Sequence, residues 1–531
     1  MEPLDKRTLI AVVLALAVLI GYQYLIVKPT PQKPLVPQKT ETKTEQPQKE
    51  APSAAPSPLV PVGAAATPAK TLKVETPLYL LTVSTKGGTV TAYDLRTYTD
   101  RDGMPVSLLK NPGPYPALAL GEKDNFDLSS VDFSVTGSDL SLKDSQTGNI
   151  IFNYVSPQFS VKRTYTFYAN SYKIDLKDEV SGIPEYWITL GSDFGIHNAK
   201  EVSTPHIGPV VLADSDREEL RANKLTEPKL FNKGVRWIAQ EDKYFFSSIV
   251  PNGGVIEAKA WQVQGSALVA LKMKSGVNNL MIYAGPKEYD DLQRLHAGLE
   301  HIVDFGFFSI LARPLFWILK FFYSFLGNYG WSIVLLTIIV RIPFLPLLAK
   351  SQKSMRKMQE LQPKLNELRE KYKKDPQKLQ KETLEMYKKY KVNPLGGCLP
   401  MLLQIPVFFA LYKVLMIAFE LRGAPFVSWI TDLSEPDTLF GHIPSWFPLI
   451  GGFALGPLPI VMGLTMIIQQ KMTPTSMDPK QNKMMMFMPV IFTFMFLNFA
   501  SGLVLYWLVN NLLSIMQQFY TNRRMAREAK N

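Results

Sequence analysis

The stretch "VLLTIIVRIPFLPLL", residues 334–348, decides the fold class. It belongs to an apolar segment, about 330–349, that is long enough to cross a bilayer as a helix. Arg341 interrupts this segment ten residues after Trp331, which places its guanidinium about 15 Å down a helix and near mid-bilayer. A cation at that depth costs at least about 2.5–3.5 kcal/mol on insertion scales, so we expect it to serve a function.

Four more apolar segments follow and predict an α-helical polytopic membrane protein. They cover about 399–420, 446–470, 484–499 and 501–520. The last two are nearly continuous, and a single helix of their combined length would rise about 55 Å, against about 30 Å of hydrocarbon. The run "LNFASG" at 497–502 offers a break. Residues 328–521 are therefore predicted to form a five-helix core.

The amino-terminal region predicts one more span and a tether. Residues 8–27 are apolar, and we interpret 1–27 as an uncleaved anchor. A cleaved signal peptide is the alternative, but no small-x-small cleavage site follows and the apolar run is long for such a peptide. Residues 28–71 contain ten prolines without an apolar period, which indicates a disordered or extended linker. The prediction totals six spans.

Residues 72–302 change to a β pattern. The stretches "LYLLTVSTKGGTVTAYDL" (78–95) and "FSVKRTYTFYANSYKIDLKDEV" (159–180) alternate apolar and polar residues around turn signals. This pattern predicts short strands and a β-sandwich. The domain has no metal-ligand cluster, nucleophile elbow or phosphate loop in its sequence, and its scattered histidines are interpreted as structural. Cys398 is the only cysteine, so no intrachain disulfide is expected.

The charges of the loops predict the topology. Residues 350–391 carry fourteen Lys or Arg and six acids, whereas 421–445 have a net charge of −2. Residues 471–483 and the tail 522–531 are basic. Because basic loops stay in the cytoplasm, the amino terminus is predicted to be cytoplasmic and the β domain to lie on the outer side.

The segment 303–327 fits two structures. It is aromatic-rich but holds Arg313, Pro314 and Lys320, so it is either another span or an amphipathic helix in the membrane interface. A span here would move the β domain into the cytoplasm and contradict the loop charges. We therefore interpret it as an interfacial helix.

Arg341 has no acidic partner in the predicted spans that follow, apart from Glu420 at a span edge. Capping by backbone carbonyls is one alternative; a water-filled cavity open to one side is the interpretation we favour. Polar residues that could line it are Thr337, Gln404, Asn510 and Asn511. Each alone more often packs helices together. Such a cation would attract acidic or polar residues of a crossing substrate, while acid–base catalysis is poorly supported and no cofactor is implied.

The basic loop 350–391 predicts a helical hairpin. Apolar residues recur at helical spacing until Asp375-Pro376 breaks the pattern, and a second helix follows. Two interpretations stay open. The hairpin is either a solvated helix pair that only obeys the charge rule, or a docking element for anionic lipid or ribosomal RNA.

Several stretches together resemble one family. They are "YAGPKEYDDL", "ARPLFWILKFFY", "LLTIIVRIPFLPL", "KVNPLGGCLPMLLQIPVFFALY", "QKMTPTSMDPKQNKMMMFMPVIF" and "SGLVLYWLVNNLLSIMQQ". Over nearly its whole length the chain resembles the YidC/Oxa/Alb membrane-protein insertase family, of the Gram-negative YidC type. The resemblance implies a periplasmic β-supersandwich domain and a hydrophilic groove in the five-helix core. It places groove residues at Arg341 and Thr337. A substrate-contacting tyrosine of the family falls on Trp507, beside Tyr506, and this departure removes a hydroxyl.

The resemblance also implies a function. We expect an insertase and chaperone of the cell inner membrane that inserts, folds and helps assemble newly made integral membrane proteins. Implied partners are nascent membrane proteins, the Sec translocon with its SecD-SecF-type accessory subunits, and the ribosome and anionic lipid at the hairpin. The candidate groove residues are Arg341, Thr337, Gln404, Tyr506, Trp507 and Asn510.

Two other functions compete with this expectation. A solute transporter or channel would show paired inverted repeats or intramembrane acids, and the sequence has neither pattern. A scaffold without insertase activity is separable only by experiment.

Overall fold

The computed structural model describes residues 69–528, apart from 101, 111–114, 199–205, 374, 391, 393–398, 448–450 and 473–478. Several helical stretches, 399–403 and 479–485 among them, are described by their backbone only. The predicted anchor 1–27 and all but the end of the predicted linker lie outside the described residues.

Residues 71–286 form strands, as the alternating pattern predicts. Their bounds are β1 Thr71–Glu75, β2 Tyr79–Ser84, β3 Val90–Thr99, β4 Pro105–Ser107, β5 Leu120–Gly121, β6 Ser134–Thr136, β7 Leu140–Ser141, β8 Thr147–Val155, β9 Ser160–Tyr168, β10 Lys173–Thr189, β11 Gly208–Ala213, β12 Asp216–Glu219, β13 Lys229–Phe231, β14 Val235–Glu241, β15 Phe245–Pro251, β16 Val255–Val263 and β17 Ser266–Pro286.

The strands make two sheets that pack face to face. The smaller sheet has the order β4-β3-β2-β1-β7, and the larger runs β12-β11-β14-β15-β17-β10-β9-β8-β6, with β13, β16 and β5 attached. Inward side chains of both sheets share one core, for example Leu81 of β2 with Ile174 of β10 and Ile282 of β17. Since alternate residues of a strand point to one face, this core confirms the predicted β-sandwich domain.

The helices follow the strands along the chain. Their bounds are α1 Tyr289–Arg294, α2 Ser309–Leu326, α3 Tyr329–Arg341, α4 Leu345–Glu360, α5 Gln362–Lys371, α6 Pro376–Lys389, α7 Leu399–Ile417, α8 Pro457–Met472, α9 Pro479–Phe496 and α10 Ser501–Glu528.

Each of the five predicted core segments contains a helix, but several bounds differ from the prediction. The break between α9 and α10 lies where "LNFASG" predicts it. Helix α10 continues to Glu528, so the predicted basic tail 522–531 begins as helix. The described residues of the segment 446–456, which are 446–447 and 451–456, are not helical, and this corrects the predicted start of that span. Four glycines between 441 and 456, two of them at positive φ, permit a tight hairpin there.

Among the residues that the structure describes, two helical runs are long and apolar enough to cross a membrane by length and composition. They are α2 and the continuous run Tyr329–Glu360, which contains α3 and α4. Helix α2 buries Leu315 and Leu319 and exposes Ile310, Trp317 and Phe325. The choice of an interfacial position for α2, and with it the count of six spans, stays a prediction.

The basic loop forms helices α5 and α6 beyond the end of α4. The Asp375 side chain accepts a hydrogen bond from Lys378 N at 3.0 Å and caps α6. Met358, Leu361 and Val392 make a small apolar core at the base of this hairpin. The helix break at Asp375-Pro376 is therefore where the sequence predicts it.

Aromatic packing around Phe419 joins the β domain to the helical bundle. Phe419, just after α7, is 6% exposed and belongs to the core of the β domain. Its ring lies 5.2 Å from Tyr98 and 5.7 Å from Phe245. Arg422 lies over Phe245 and donates to Thr99 O at 2.6 Å. Apolar packing and a charge-assisted hydrogen bond thus fix the end of α7 that adjoins the β domain.

Ion pairs reinforce this junction. Lys413, a cation inside the predicted second core span, lies 3.3 Å from Asp304. Lys320 of α2 contacts Asp290 and lies 3.3 Å from Glu420. Both lysines therefore point toward acids at the end of the bundle that adjoins the β domain, which explains how apolar helices tolerate them.

Candidate functional site: a polar cavity in the helical bundle

Helix α3 presents Thr337 and Arg341 on one face, because residues four apart in a helix lie one above the other. Asn328 caps the start of the helix, and its side chain accepts a hydrogen bond from Trp331 N at 3.1 Å. It ends at Arg341, where a short 3-10 turn with Pro343 leads into α4. The guanidinium therefore lies at a change of helix geometry, inside the bundle.

A cavity with about 450 Å³ of empty volume, counted to its open mouth, lies beside this face. Its described walls come from α3, α4, α7 and α10. The lining residues are Thr337, Val340, Arg341, Phe344, Leu347, Leu348, Gln404, Val407, Tyr506 and Asn510. Five of the six residues predicted from the sequence are thus brought together around one cavity.

Arg341 binds one face of α10 through both terminal nitrogens. Its Nη1 donates to the Asn510 backbone oxygen at 3.0 Å and to Asn510 Oδ1 at 2.8 Å. Its Nη2 donates to Ser514 Oγ at 2.9 Å and to Gln517 Oε1 at 3.3 Å. The guanidinium is therefore partly held by a carbonyl, the alternative considered from the sequence, and also lines a cavity.

The charge of Arg341 is not neutralised by these contacts. All four acceptors are uncharged oxygens. Among the described residues that line the cavity, Arg341 alone carries a charge. Its Nε is buried and has no hydrogen-bond partner in the described part of the chain. Hydrogen bonds to neutral oxygens satisfy the N–H groups but leave the net charge free to act on a ligand in the cavity.

The sequence reasoning missed Ser514 and Gln517. With Asn510 they occupy positions i, i+4 and i+7 of α10, which is a polar stripe on one helical face. Ser514 Oγ also donates to Asn510 O at 2.8 Å, which orients the hydroxyl. A search for polar residues at helical spacing in the last apolar segment would have found them.

Three of the predicted cavity residues, Thr337, Gln404 and Tyr506, also make contacts within the bundle. The Thr337 hydroxyl donates to Ile333 O at 2.6 Å, so its proton is used within α3. Gln404 lies close enough to hydrogen bond with the Tyr506 hydroxyl. This contact links the polar walls supplied by α7 and α10.

Trp507 does not line the cavity. Its ring packs 4.9 Å from Phe408, 5.2 Å from Phe496 and 6.0 Å from Phe492, between α7 and α9. Asn511 is also directed elsewhere, because its amide donates to Thr465 of α8 at 3.2 Å. The successive residues Asn510 and Asn511 of α10 therefore face different helices, and only Asn510 reaches Arg341.

Comparison with known proteins identifies the family of this chain. Residues 71–318 match the family described as YidC periplasmic domain, and residues 321–528 match 60Kd inner membrane protein. The chain belongs to the YidC family of membrane protein insertases. It is 38% identical to the "Membrane protein insertase YidC" of Pelobacter propionicus, over 98% of this chain and 99% of that one. The proteins of the same name from Syntrophus aciditrophicus and Geobacter metallireducens are 39% and 38% identical, over 98% of this chain.

This membership confirms the insertase function that the sequence predicts. The YidC family also confirms a periplasmic type of β domain joined to a helical membrane region. The alternative of a solute transporter or channel finds no support among these relatives.

A second charged cluster lies at the junction of the β domain and α7, outside the cavity of Arg341. Arg217 bridges Glu219 at 2.9 Å and Glu241 at 2.5 Å. Burial lowers the pKa of His206, whose Nε2 lies 3.0 Å from Pro209 O. Within the described residues no group of three His, Cys, Asp or Glu could hold a metal. This arrangement fits the structural role predicted for the histidine.

Proposed function

We propose that the cavity beside Arg341 receives the polar flank of an apolar segment while that segment enters the membrane. The observation that carries this proposal is an uncompensated cation facing an open-mouthed cavity inside an apolar bundle. An acidic or polar group in hydrocarbon lacks hydrogen bonds and charge partners. Arg341 and the amides of Gln404 and Asn510 offer both.

The lengths of the helices favour the same process. The described part of α8 has 16 residues and that of α9 has 18, which correspond to about 24 Å and 27 Å, less than a hydrocarbon core of about 30 Å. Short spans thin the bilayer around them. A substrate that partitions beside α8 and α9 would therefore carry its polar end across a shorter apolar distance.

The topology belongs to the same proposal. Six spans, a cytoplasmic amino terminus and a periplasmic β domain place the basic hairpin α5–α6 in the cytoplasm of a cell with an inner membrane. The exposed lysines of this hairpin would contact the ribosome or anionic lipid. Its substrates would be nascent membrane proteins, accepted alone or beside the Sec translocon and its SecD-SecF-type subunits. The proposed role includes folding and assembly as a chaperone.

The test compares Arg341→Lys with Arg341→Ala in reconstituted vesicles, using one substrate with an acidic or a neutral translocated tail. Because Lys keeps a cation in the cavity, we expect it to retain most insertion. Ala keeps only the space, so insertion of the acidic-tailed substrate should fall about tenfold or more, equivalent to about 1.4 kcal/mol of lost stabilisation. The neutral-tailed substrate should be affected less.

Asn511→Ala is the matched control, because it removes a buried polar group of the same bundle that faces α8 instead of the cavity. It should insert both substrates like the unmodified protein. Equal insertion of acidic tails by Arg341→Ala and the unmodified protein would contradict the proposal. Failure of Arg341→Lys together with Arg341→Ala would instead show that the fork geometry of Arg341, and not its charge, is required.

A further inference from the structure

A hydrogen-bonded hairpin occupies the region where the sequence predicts the start of a span. We define the described residues 438–447 and 451–456 as the outer hairpin. Its arms are joined by backbone bonds from Phe440 N to Leu455 O at 2.9 Å and from Ile443 N to Phe453 O at 2.8 Å. A third backbone bond runs from Gly452 N to Ile443 O at 2.8 Å. The outer hairpin is thus a built element with a defined shape.

The outer hairpin displays large apolar side chains on its surface. The exposed fractions are 77% for Trp446, 61% for Phe440, 51% for Leu439 and 43% for Phe447. Exposed aromatic rings in water are unfavourable by about 25 cal/mol per Å² of apolar surface. A cluster of this kind marks a surface that has a partner.

The charge pattern of the outer hairpin favours lipid as the partner of this surface. From residue 438 to residue 470 the sequence contains no Asp, Glu, Lys or Arg. The outer hairpin is therefore continuous in composition with α8, which follows it directly at Pro457. Protein-binding surfaces usually carry a charged or polar rim, whereas an uncharged, tryptophan-containing surface suits the border between headgroups and hydrocarbon.

The position in the bundle agrees with that border. Asn498, in the turn before α10, accepts a hydrogen bond from Ala454 N at 3.0 Å, so the outer hairpin is fixed to the outer end of the bundle. The same end carries Trp331 near the start of α3, 51% exposed, and Phe325 near the end of α2, 64% exposed. Exposed aromatic residues from three separate elements thus occur at one end of the helices, as in the aromatic belt of a membrane protein.

We propose that Trp446 and Phe447 insert the outer hairpin into the headgroup region of the outer leaflet. The proposal rests on the membrane topology given above. The inner side of the hairpin, with Gly452 and Ala454, lines a large outer cavity together with Met416 of α7. Anchoring in lipid would hold this wall in place while a polar segment emerges. It would also supply the apolar contact that the 16-residue α8 is too short to provide at its outer end.

The test measures the depth of a nitroxide label in lipid vesicles. Cys398→Ser removes the single cysteine of the chain, and Trp446→Cys or the neighbouring Ser445→Cys then supplies one labelling site. Controls are Val155→Cys on the β domain, whose side chain is 78% exposed, Phe325→Cys on α2, and Leu464→Cys in the middle of α8. Oxygen, which concentrates in lipid, and a water-soluble nickel complex are the two relaxing agents.

We expect the label at 446, or at 445 if Trp446→Cys does not fold, to respond like the label at 325, with oxygen relaxing it more than nickel. The label at 155 should respond mainly to nickel. A nickel response at 446 equal to that at 155 would overturn the proposal, because the hairpin would then lie in water. Protection from both agents would overturn it too, since a protein surface would cover the site. If the label at 464 also responds like that at 155, the membrane topology itself fails, which distinguishes that failure from a failure of the hairpin alone.

Discussion

Two arginines, Arg163 in the β domain and Arg341 in the helical bundle, show how the same side chain is made structural in one region and functional in the other. Arg163 is completely buried on β9, directly opposite Asp178 on β10. Its Nε donates to Asp178 Oδ1 at 2.9 Å, and its Nη1 donates to the Leu118 carbonyl at 2.7 Å. Arg341 is half-buried, meets only neutral oxygens and borders a cavity.

The two arginines differ in the charge that remains unbalanced once their contacts are made. Every charge around Arg163 is balanced, so the pair joins two strands and offers nothing to a ligand. The positive charge of Arg341 is only solvated by dipoles, so a ligand with negative charge still gains by approaching it. Burial alone therefore does not indicate function; an unbalanced buried charge next to open space does.

The largest effect should follow from Arg163→Met. The substitution leaves the carboxylate of Asp178 buried without its cation, and breaking such a pair costs about 3–5 kcal/mol. Amide hydrogen exchange of β9 and β10 in the full chain would measure this loss of stability against the exchange of the unmodified protein.

The same variant has a defined pH dependence. Burial raises the pKa of Asp178 even beside Arg163, and removing the guanidinium raises it further. An acid whose pKa is higher in the folded than in the unfolded state loses stability as pH rises between those two values. Arg163→Met should therefore be less destabilised in mildly acidic buffer than in neutral buffer. The double variant Arg163→Met with Asp178→Leu should recover most of the stability, and a double variant as unstable as the single one would contradict the argument.

Arg341→Met should have a much smaller effect on stability, within about 1 kcal/mol. Interhelical polar contacts contribute about 0.6 kcal/mol each on average, and their loss is opposed by the removal of a charge from the apolar region. The freed oxygens belong to Asn510, which lines the cavity, and to the partly exposed Ser514 and Gln517, so water replaces the guanidinium. Thermal unfolding of the full chain would measure this, beside the insertion assay described above. A loss as large as that of Arg163→Met would make Arg341 a structural residue.

The sequence predicts the fold where one residue pattern has one physical solution. Alternation in "FSVKRTYTFYANSYKIDL" places β9 and β10, since only a half-buried strand has period two. The long apolar segment at 446–470 has two solutions, because hydropathy reports preference for an apolar environment and not backbone geometry. Gly441, Gly451 and Gly452 were the available signal for a hairpin, and they were outweighed by the apolar composition.

The sequence predicts only part of the site, because only some of its residues stand out from their surroundings. Arg341 stands out because a cation in an apolar run is costly, and Thr337 follows from helical spacing. Ser514 and Gln517 lie near the end of the last predicted span, where polar residues are common. The orientation of Trp507 depends on the rotation of α10 against α7 and α9, which the sequence of one helix does not determine.

The smallest effect on stability should follow from Arg96→Gln. Arg96 completes the comparison, because it pairs with an acidic residue at the surface of the protein. Arg96 Nη1 lies 2.6 Å from Glu75 Oε1, and both side chains are about half exposed, at 47% and 51%. Water screens such a pair and its formation restricts two flexible side chains, so exposed pairs contribute about 0–1 kcal/mol. Arg96→Gln should change the exchange of β1 and β3 by less than about 0.5 kcal/mol and should leave insertion unchanged, with Glu75→Gln as the matched variant. If either variant approached the effect of Arg163→Met, the presence of an acidic partner, and not burial, would govern the energy of arginines in this protein.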